Sequence, residues 1–138
     1  MEVTSIQDGI IIDHVPAGTA LKVLEYLSIN PASTKLALIM NTDSHRYGTK
    51  DIIKIDEDID INLDVLGYID PNITVNRVRD GKLSRKEHLE LPEMVTDIIK
   101  CKNPRCITSV EQEVVHKFRL ADREKRIYRC IYCDAEHK

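Results

Sequence analysis

Apolar residues in the first two thirds of the chain occur in short runs that are separated by polar turns. Runs at 3–6 and 10–15 flank Gln7-Asp8-Gly9, and because Asp-Gly favours tight turns, a β-hairpin is predicted at the start. Pro16 suits the first turn of a helix that ends near Asn30-Pro31. The apolar spacing predicts that the buried stripe of this helix comprises Ala20, Leu21, Leu24 and Leu27.

The next apolar runs predict one more helix and several strands. A short helix is predicted over 63–69, because Asp60 or Asn62 can cap its start and Pro71 follows its end. Strands are predicted over 35–41, 51–56, 73–78 and 82–84, with a polar turn over 42–48. The order strand, helix, strand, strand, helix, strand is the split βαβ pattern of ferredoxin-like sheets. Two helices should therefore cover one face of a mainly antiparallel sheet and leave the other face or an edge for a ligand.

A second, smaller unit is predicted after a linker over 88–98, because Pro92 disfavours helical backbone in the residue before it. The expected domains are 1–96 and 97–138. The second domain is expected to contain strands over 114–120 and 126–131 and a turn over 121–125. Together with flanking cysteine pairs, this order predicts a β zinc ribbon of the rubredoxin-like type, which is too small to fold without its metal. The fold class is therefore α+β.

Four cysteines, the only ones in the sequence, all lie in this second unit. Cys101 and Cys106 are separated by four residues, and Cys130 and Cys133 are separated by two. Such loops can bring four thiolates to one tetrahedral zinc ion at about 2.3 Å. Two disulfides are the alternative, but the N-terminus does not show the basic segment, apolar run and cleavage site of a secreted protein. A thioredoxin-type redox pair is disfavoured, because the second pair does not open a helix after a strand.

Charge divides the chain in the same way as the apolar pattern. Residues 1–96 contain 10 Lys and Arg against 16 Asp and Glu, net −6, and residues 97–138 contain 10 against 7, net +3. Four thiolates and one Zn²⁺ would leave the second unit with a net charge of about +1. This balance argues against nucleic acid as a partner, since phosphate contacts need a clear excess of Lys and Arg. No apolar run approaches a membrane span, so a cytoplasmic protein without membrane attachment is expected.

Polar residues inside the apolar strands are the candidates for chemistry. They are Asp13, His14, Lys50, Lys54, Asn76, Arg77 and Lys86. The sequence has no Gly-rich phosphate loop and no nucleophile beside a general base. The cationic residues therefore indicate a site that binds an anion rather than one that transforms a substrate. The alternative for each residue is a solvated charge at an outward strand position. A zinc ion with four cysteine ligands has no position for water, so binding is favoured over catalysis.

Four strings of residues, which precede the four cysteines in the chain, closely resemble the regulatory chain of aspartate carbamoyltransferase. They are Ile12-Asp13-His14-Val15-Pro16-Ala17, Lys50-Asp51-Ile52-Ile53-Lys54-Ile55, Thr74-Val75-Asn76-Arg77-Val78 and Leu91-Pro92-Glu93. The resemblance covers nearly the whole chain. It implies a non-catalytic subunit in de novo pyrimidine biosynthesis, with an N-terminal allosteric domain that binds CTP, ATP or UTP. It also implies a C-terminal zinc domain that docks on a separate catalytic chain.

The resemblance further implies which residues form the two sites. The effector site falls on Ser5, Ile6, Ile11, Asp13, His14, Lys50, Ile52, Lys54, Asn76, Val78, Leu83 and Lys86. In the family, Asp13 and Lys54 serve the ribose. His14 and Lys86 contact the phosphates, and the backbone around Ser5 and Ile6 contacts the base. Magnesium can accompany the nucleotide. One structural zinc ion per chain is expected on Cys101, Cys106, Cys130 and Cys133.

Subunit contacts follow from the same resemblance. The residues expected to face the catalytic chain are Asn103, Arg105, Tyr132 and Asp134. Phe118 and Tyr128 are expected to pack the core of the ribbon instead. Two regulatory chains would pair through their N-terminal sheets and bridge catalytic trimers. Without the resemblance, two other functions stay open: a zinc ribbon that binds nucleic acid, and a freestanding small-molecule enzyme, for which no nucleophile and base pair stands out.

Overall fold

Five antiparallel strands and two helices form the N-terminal unit in the computed structural model, which describes residues 7–44 and 48–137. The elements are β1 Gly9–Pro16, α1 Ala20–Tyr26, β2 Leu36–Ser44, β3 Gly48–Ile55, α2 Leu63–Ile69, β4 Thr74–Arg79 and β5 Lys82–His88. The strand order is β2-β3-β1-β4-β5. Strands that are connected through a helix are therefore not neighbours, as in a ferredoxin-like sheet, and the predicted fold is confirmed.

The core of this unit lies between the sheet and the helices. Alternate residues of the three central strands face the core, and α1 and α2 contribute the opposite side. The contributing residues include Ile10, Ile12, Ile53, Ile55 and Val75 from the strands and Ala20, Val23, Leu24 and Leu66 from the helices. Because side chains alternate along a strand, intervening residues such as Ile11 and Lys54 face away from the helices.

The first helix differs from its prediction in three respects. It begins at Ala20, and Pro16, predicted in its first turn, is the last residue of β1 and pairs with Lys50 on β3. The helix ends at Tyr26, a few residues before the predicted end, and Ser28 beyond it takes a left-handed φ of 58°. The prediction that Leu21 is buried is wrong, since it is 58% exposed whereas Val23 is fully buried. With about 100° of rotation per residue, Leu21 projects well away from Ala20 and lies outside the buried stripe.

The other predicted elements that fall on described residues of this unit are present, most of them with adjusted ends. α2 has its predicted bounds, and the side chain of Asn62 caps it by accepting the N–H of Asp64 at 3.0 Å. The predicted turn over 42–48 is partly strand, because backbone pairing continues between β2 and β3 through polar residues. β5 likewise runs beyond its predicted end. The predicted strand over 3–6 lies outside the described residues.

The C-terminal unit contains a three-stranded antiparallel sheet in the order β6-β7-β8 and a short helix, α3, within the part of the chain that is described. Its elements are β6 Met94–Thr96, α3 Ile107–Val110, β7 Lys117–Asp122 and β8 Ile127–Cys130. The two units span 1–90 and 91–138. The division precedes the expected boundary at residue 96, because β6, which the sequence predicts as linker, pairs with β7. Phe118 and Tyr128 are buried, as predicted.

The helices of both units are short. Among the described residues, none is long and apolar enough to cross a membrane.

Candidate metal centre and ligand-binding face

Four cysteine side chains converge in the C-terminal unit. Their sulfur atoms all lie within 4.8 Å of one another. The Sγ atoms of Cys101 and Cys133 are 3.6 Å apart, and those of Cys106 and Cys130 are also 3.6 Å apart. Ligands at about 2.3 Å from a tetrahedral zinc ion lie about 3.8 Å apart, so this spacing fits a tetrathiolate site. A disulfide needs sulfur atoms at about 2.05 Å. All four cysteines are free, which disfavours the disulfide alternative.

Two backbone turns place the cysteine pairs. In the second pair, the N–H of Asp134 donates to the carbonyl of Cys130 at 2.8 Å, and Asp134 takes a left-handed φ of 63°. In the first pair, the N–H of Cys106 donates to the carbonyl of Asn103 at 3.0 Å, directly before α3. Each turn closes the backbone between or beside its cysteines, so that both sulfurs of a pair reach the same point.

Hydrogen bonds and burial define the surroundings of the sulfur atoms. The hydroxyl of Thr108, which is 6% exposed, donates to Cys106 Sγ at 3.1 Å. Burial raises the pKa of the Cys101 thiol to about 12, although the backbone N–H of Asn103 favours its thiolate. Burial acts in the same direction on Cys133, but hydrogen bonds from the Asn103 side chain and a backbone N–H outweigh it and lower that pKa to about 7. A metal cation must therefore displace protons from buried thiols, and its affinity rises with pH.

On the N-terminal sheet, predicted effector residues share the face that points away from the helices. The strand register pairs Ile11 with Lys54 on β3 and with Asn76 on β4. Asn76 is in turn paired with Lys86 on β5. Directly opposite residues point to the same face, so these four side chains form one row across four strands, the effector row. Ile52, two residues from Lys54, shares this face.

A second group of predicted effector residues lies beside one end of β1. The carboxylate of Asp13 forms an ion pair with Lys50 at 2.9 Å, and their side chains are 22% and 17% exposed. His14 takes a left-handed φ of 58°, and its Nδ1 lies 3.1 Å from Thr74 Oγ1. The register of β1 against β3 shifts at this point. The irregular backbone there takes His14 out of the regular alternation of the strand.

The remaining predicted effector residues differ in exposure. Val78 and Leu83 are register partners on β4 and β5, but Val78 is 7% exposed and Leu83 is 63% exposed. Ser5 and Ile6 lie outside the described residues. The sheet therefore places the described members of the predicted effector site on neighbouring strands.

Two residues whose side chains accept hydrogen bonds from distant backbone N–H groups were not among the candidates identified from the sequence. Asp51 is fully buried, and its carboxylate accepts the N–H of Ala20 at 3.0 Å and that of Asn41 at 2.8 Å. His116 accepts the N–H of Cys101 on its Nδ1 at 3.1 Å. For Asp51 a signal was available, since strand alternation places it on the core face of β3. No pattern in the sequence marks His116.

The residues predicted to face a partner chain lie around the metal loops. Arg105 and Tyr132 are exposed. Asp134 forms an ion pair with Arg119 at 2.5 Å, and the side chain of Asn103 accepts the N–H of Arg105 at 3.1 Å. Arg105 and Tyr132 thus reach solvent, whereas Asn103 and Asp134 also hold the loops in shape.

An antiparallel sheet with a cationic open face, followed by a four-cysteine metal domain, defines a class of two-domain binding proteins. Residues 1–90 match the family model described as the aspartate carbamoyltransferase regulatory chain, allosteric domain. Residues 93–138 match the model described as the metal binding domain of the same chain. The chain belongs to the family of aspartate carbamoyltransferase regulatory chains.

Curated relatives agree over the full length. The aspartate carbamoyltransferase regulatory chain of Bifidobacterium longum is 61% identical over 138 residues, which cover 100% of this chain and 99% of the relative. The chain of the same name from Clostridium tetani is 50% identical and covers 100% of this chain and 96% of the relative. The chain of the same name from Clostridium acetobutylicum is also 50% identical, and the match covers 100% of this chain and 94% of the relative. The family resemblance read from the sequence is confirmed, and the names of family and relatives describe a regulatory rather than a catalytic chain.

Proposed function

We propose that this chain is the regulatory subunit of an aspartate carbamoyltransferase. It binds nucleoside triphosphates on its N-terminal sheet and docks on a catalytic chain through its metal domain. The observation that carries the proposal is the effector row, which sets two lysines, an amide and an apolar side chain across the open face of the sheet. The description of the two family models as allosteric and metal binding domains supports this division between the units.

The open face offers a partner for each part of a nucleoside triphosphate. The phosphates carry several negative charges, which Lys86 can match and to which a ring N–H of His14 can donate. The ribose hydroxyls can donate to the Asp13 carboxylate. Leu83 and Ile11 offer apolar contact for a base. CTP, ATP and UTP share the ribose and the triphosphate, so the face suits all three. Magnesium would be held mainly by the phosphates and water rather than by a protein cage.

The metal is proposed to be one structural zinc ion, held by Cys101, Cys106, Cys130 and Cys133. Thiolates are soft ligands that select zinc over magnesium or calcium. With four sulfur ligands the coordination is closed, so the ion supports the fold and leaves no position for a reacting water.

The surface around the metal loops is proposed to dock on the catalytic chain. Ile107 and Val110 in α3 are 49% and 69% exposed, and Ile131 and Tyr132 in the second loop are 39% and 43% exposed. Exposed apolar side chains on both metal loops support a role of these loops in a protein interface. Since the metal holds both loops, its loss is expected to separate the chains.

A dimer of regulatory chains is proposed to form through β2. This strand is nine residues long and terminates the described sheet on one side. An edge strand presents backbone N–H and C=O groups that can pair with a second chain. As the family resemblance implies, such dimers would bridge catalytic trimers.

The proposed mechanism is coupling without catalysis by this chain. A nucleotide shifts the quaternary equilibrium only if it binds one state better than the other. Typical couplings are about 1–3 kcal/mol, or about 5–150-fold in affinity. Nucleotide binding on the sheet would thus be coupled to the contact that the metal domain makes with the catalytic chain.

Replacing Lys54 or Lys86 with alanine is expected to weaken CTP and ATP binding by about tenfold each. Each change removes one charge-assisted contact from the effector row, and such a contact is worth about 1.5–3 kcal/mol before solvent screening. Isothermal titration of the zinc-loaded chain with each nucleotide measures the effect.

Lys22→Ala is the matched control, because Lys22 is an exposed lysine on α1 rather than on the open face of the sheet. It is expected to bind nucleotide like the parent chain. Unchanged affinity in both effector-row variants, or an equal loss in the Lys22 variant, would count against the open face as the nucleotide site.

A further inference from the structure

The imidazole of His116 is bonded to the backbone of a metal ligand rather than to its sulfur. His116 lies directly before β7 and is half-buried. Its Nδ1 accepts the N–H of Cys101 at 3.1 Å through its lone pair. The group of side chains that could hold the metal contains four cysteines and no histidine among the described residues. His116 therefore acts on the metal site through Cys101.

The position of His116 is itself fixed by two hydrogen bonds to Asp97. The N–H of His116 donates to Asp97 Oδ1 at 2.9 Å, and the N–H of Asp97 donates to the carbonyl of His116 at 2.6 Å. Asp97 directly follows β6 and takes a left-handed φ of 56°. These bonds continue the β6–β7 ladder, in which Thr96 pairs with Lys117. The imidazole is thus attached to the sheet and not to a loose loop.

The second cysteine pair is held by a hydrogen bond to Lys117, the residue after His116. The N–H of Ile131 donates to the carbonyl of Lys117 at 3.1 Å, and Cys130 is the register partner of Phe118. Two adjacent residues therefore bond to the two pairs. His116 bonds to Cys101 of the first pair, and Lys117 bonds to Ile131, which follows Cys130 of the second pair. The first pair has no strand of its own among the described elements, so its distance from the second pair depends on bonds such as that of His116.

We propose that His116 is a positioning residue for the metal centre, which fixes Cys101 at ligand distance from the other pair. This inference rests on the metal site proposed above. Groups that orient metal ligands are typically worth about 10–100-fold in metal affinity. His116→Ala is expected to accelerate metal release by about this factor.

Two further variants separate positioning from packing. In His116→Asn, Oδ1 occupies the place of Nδ1 and can accept the N–H of Cys101. In His116→Gln, the acceptor oxygen lies one bond further out, near the place of Nε2. Zinc release from the full chain to a chromophoric chelator is measured for the parent and all three variants. The absorption of Co²⁺-loaded protein reports tetrahedral thiolate coordination in each.

The expected result is release about 10–100-fold faster for Ala and Gln, with Asn within about threefold of the parent. If Ala does not fold with metal, the comparison of Asn with Gln decides. Equal rates for Gln and parent, or equal losses in Asn and Gln, would overturn the positioning role. A parent chain that takes up neither zinc nor Co²⁺ would overturn the metal site itself, and this inference with it.

Discussion

Replacing Cys130 with serine is expected to remove the metal and unfold the C-terminal unit, while the N-terminal sheet stays folded. Cys130 is 1% exposed at the end of β8, where it pairs with Phe118. Serine stays protonated at neutral pH and cannot replace a thiolate on zinc. Structural zinc contributes about 10–16 kcal/mol in comparable small units. That is as much as the whole stability of an ordinary domain, about 5–15 kcal/mol, so a three-strand unit should not survive the loss.

Metal content and amide hydrogen exchange on the same sample measure this effect. We expect the variant to carry little metal and to exchange rapidly in β7 and β8, with unchanged protection in β1, β3 and β4. A chelator added to the parent chain should reproduce this pattern. Gln112→Ala, at an exposed position of the same unit, is the control and should keep its metal. Retention of one metal ion per chain by the Cys130 variant would contradict the assignment of the ligands.

Replacing Asp51 with alanine is expected to destabilise the N-terminal unit by about 2–4 kcal/mol. Its fully buried carboxylate joins the start of α1, at Ala20, to β2, at Asn41. Asn41 takes a left-handed φ of 58° within the register shift of β2, so this bond also supports an irregular backbone. The substitution leaves two backbone donors without an acceptor. The N–H of Ala20 is buried and costs about 1–3 kcal/mol, whereas Asn41 is exposed, so its N–H adds a smaller loss.

Denaturant unfolding of the zinc-loaded chain, followed by far-ultraviolet circular dichroism, measures the loss. Asp51→Asn keeps one acceptor oxygen and turns an amide toward the other donor, so it should recover only part of the stability. Asp43→Asn changes an exposed carboxylate on β2 and is expected to stay within about 0.5 kcal/mol of the parent. An Asp51→Ala chain as stable as the Asp43 control would show that these two bonds do not support the fold.

Local signals made part of the structure predictable from sequence. α2 has a cap at Asn62 and a proline beyond its end, and it forms with its predicted bounds. The cysteine spacing, likewise, reflects short loops whose geometry is set within a few residues. Strand alternation can be read from the sequence, and it places Ile53 in the core and Lys54 on the outward face of β3.

Features that depend on long-range pairing could not be read in the same way. β6 looks like a linker, because its strand character comes from β7, which follows about 20 residues later in the chain. The effector row exists only through the register of four strands, so its residues are scattered in the sequence. The role of His116 depends on a bond to Cys101, 15 residues away, and neither residue type nor spacing announces it.

This chain is proposed to confer nucleotide control on a catalytic chain. The test of that role is the aspartate saturation of purified catalytic trimer of aspartate carbamoyltransferase from the same source. The trimer is measured with and without the zinc-loaded chain, each with added CTP or ATP. We predict that the chain co-assembles and that the saturation curve depends on the nucleotide only when the chain is present. Failure to assemble, or a curve that nucleotides leave unchanged in the assembly, would show that the chain does not have this regulatory role.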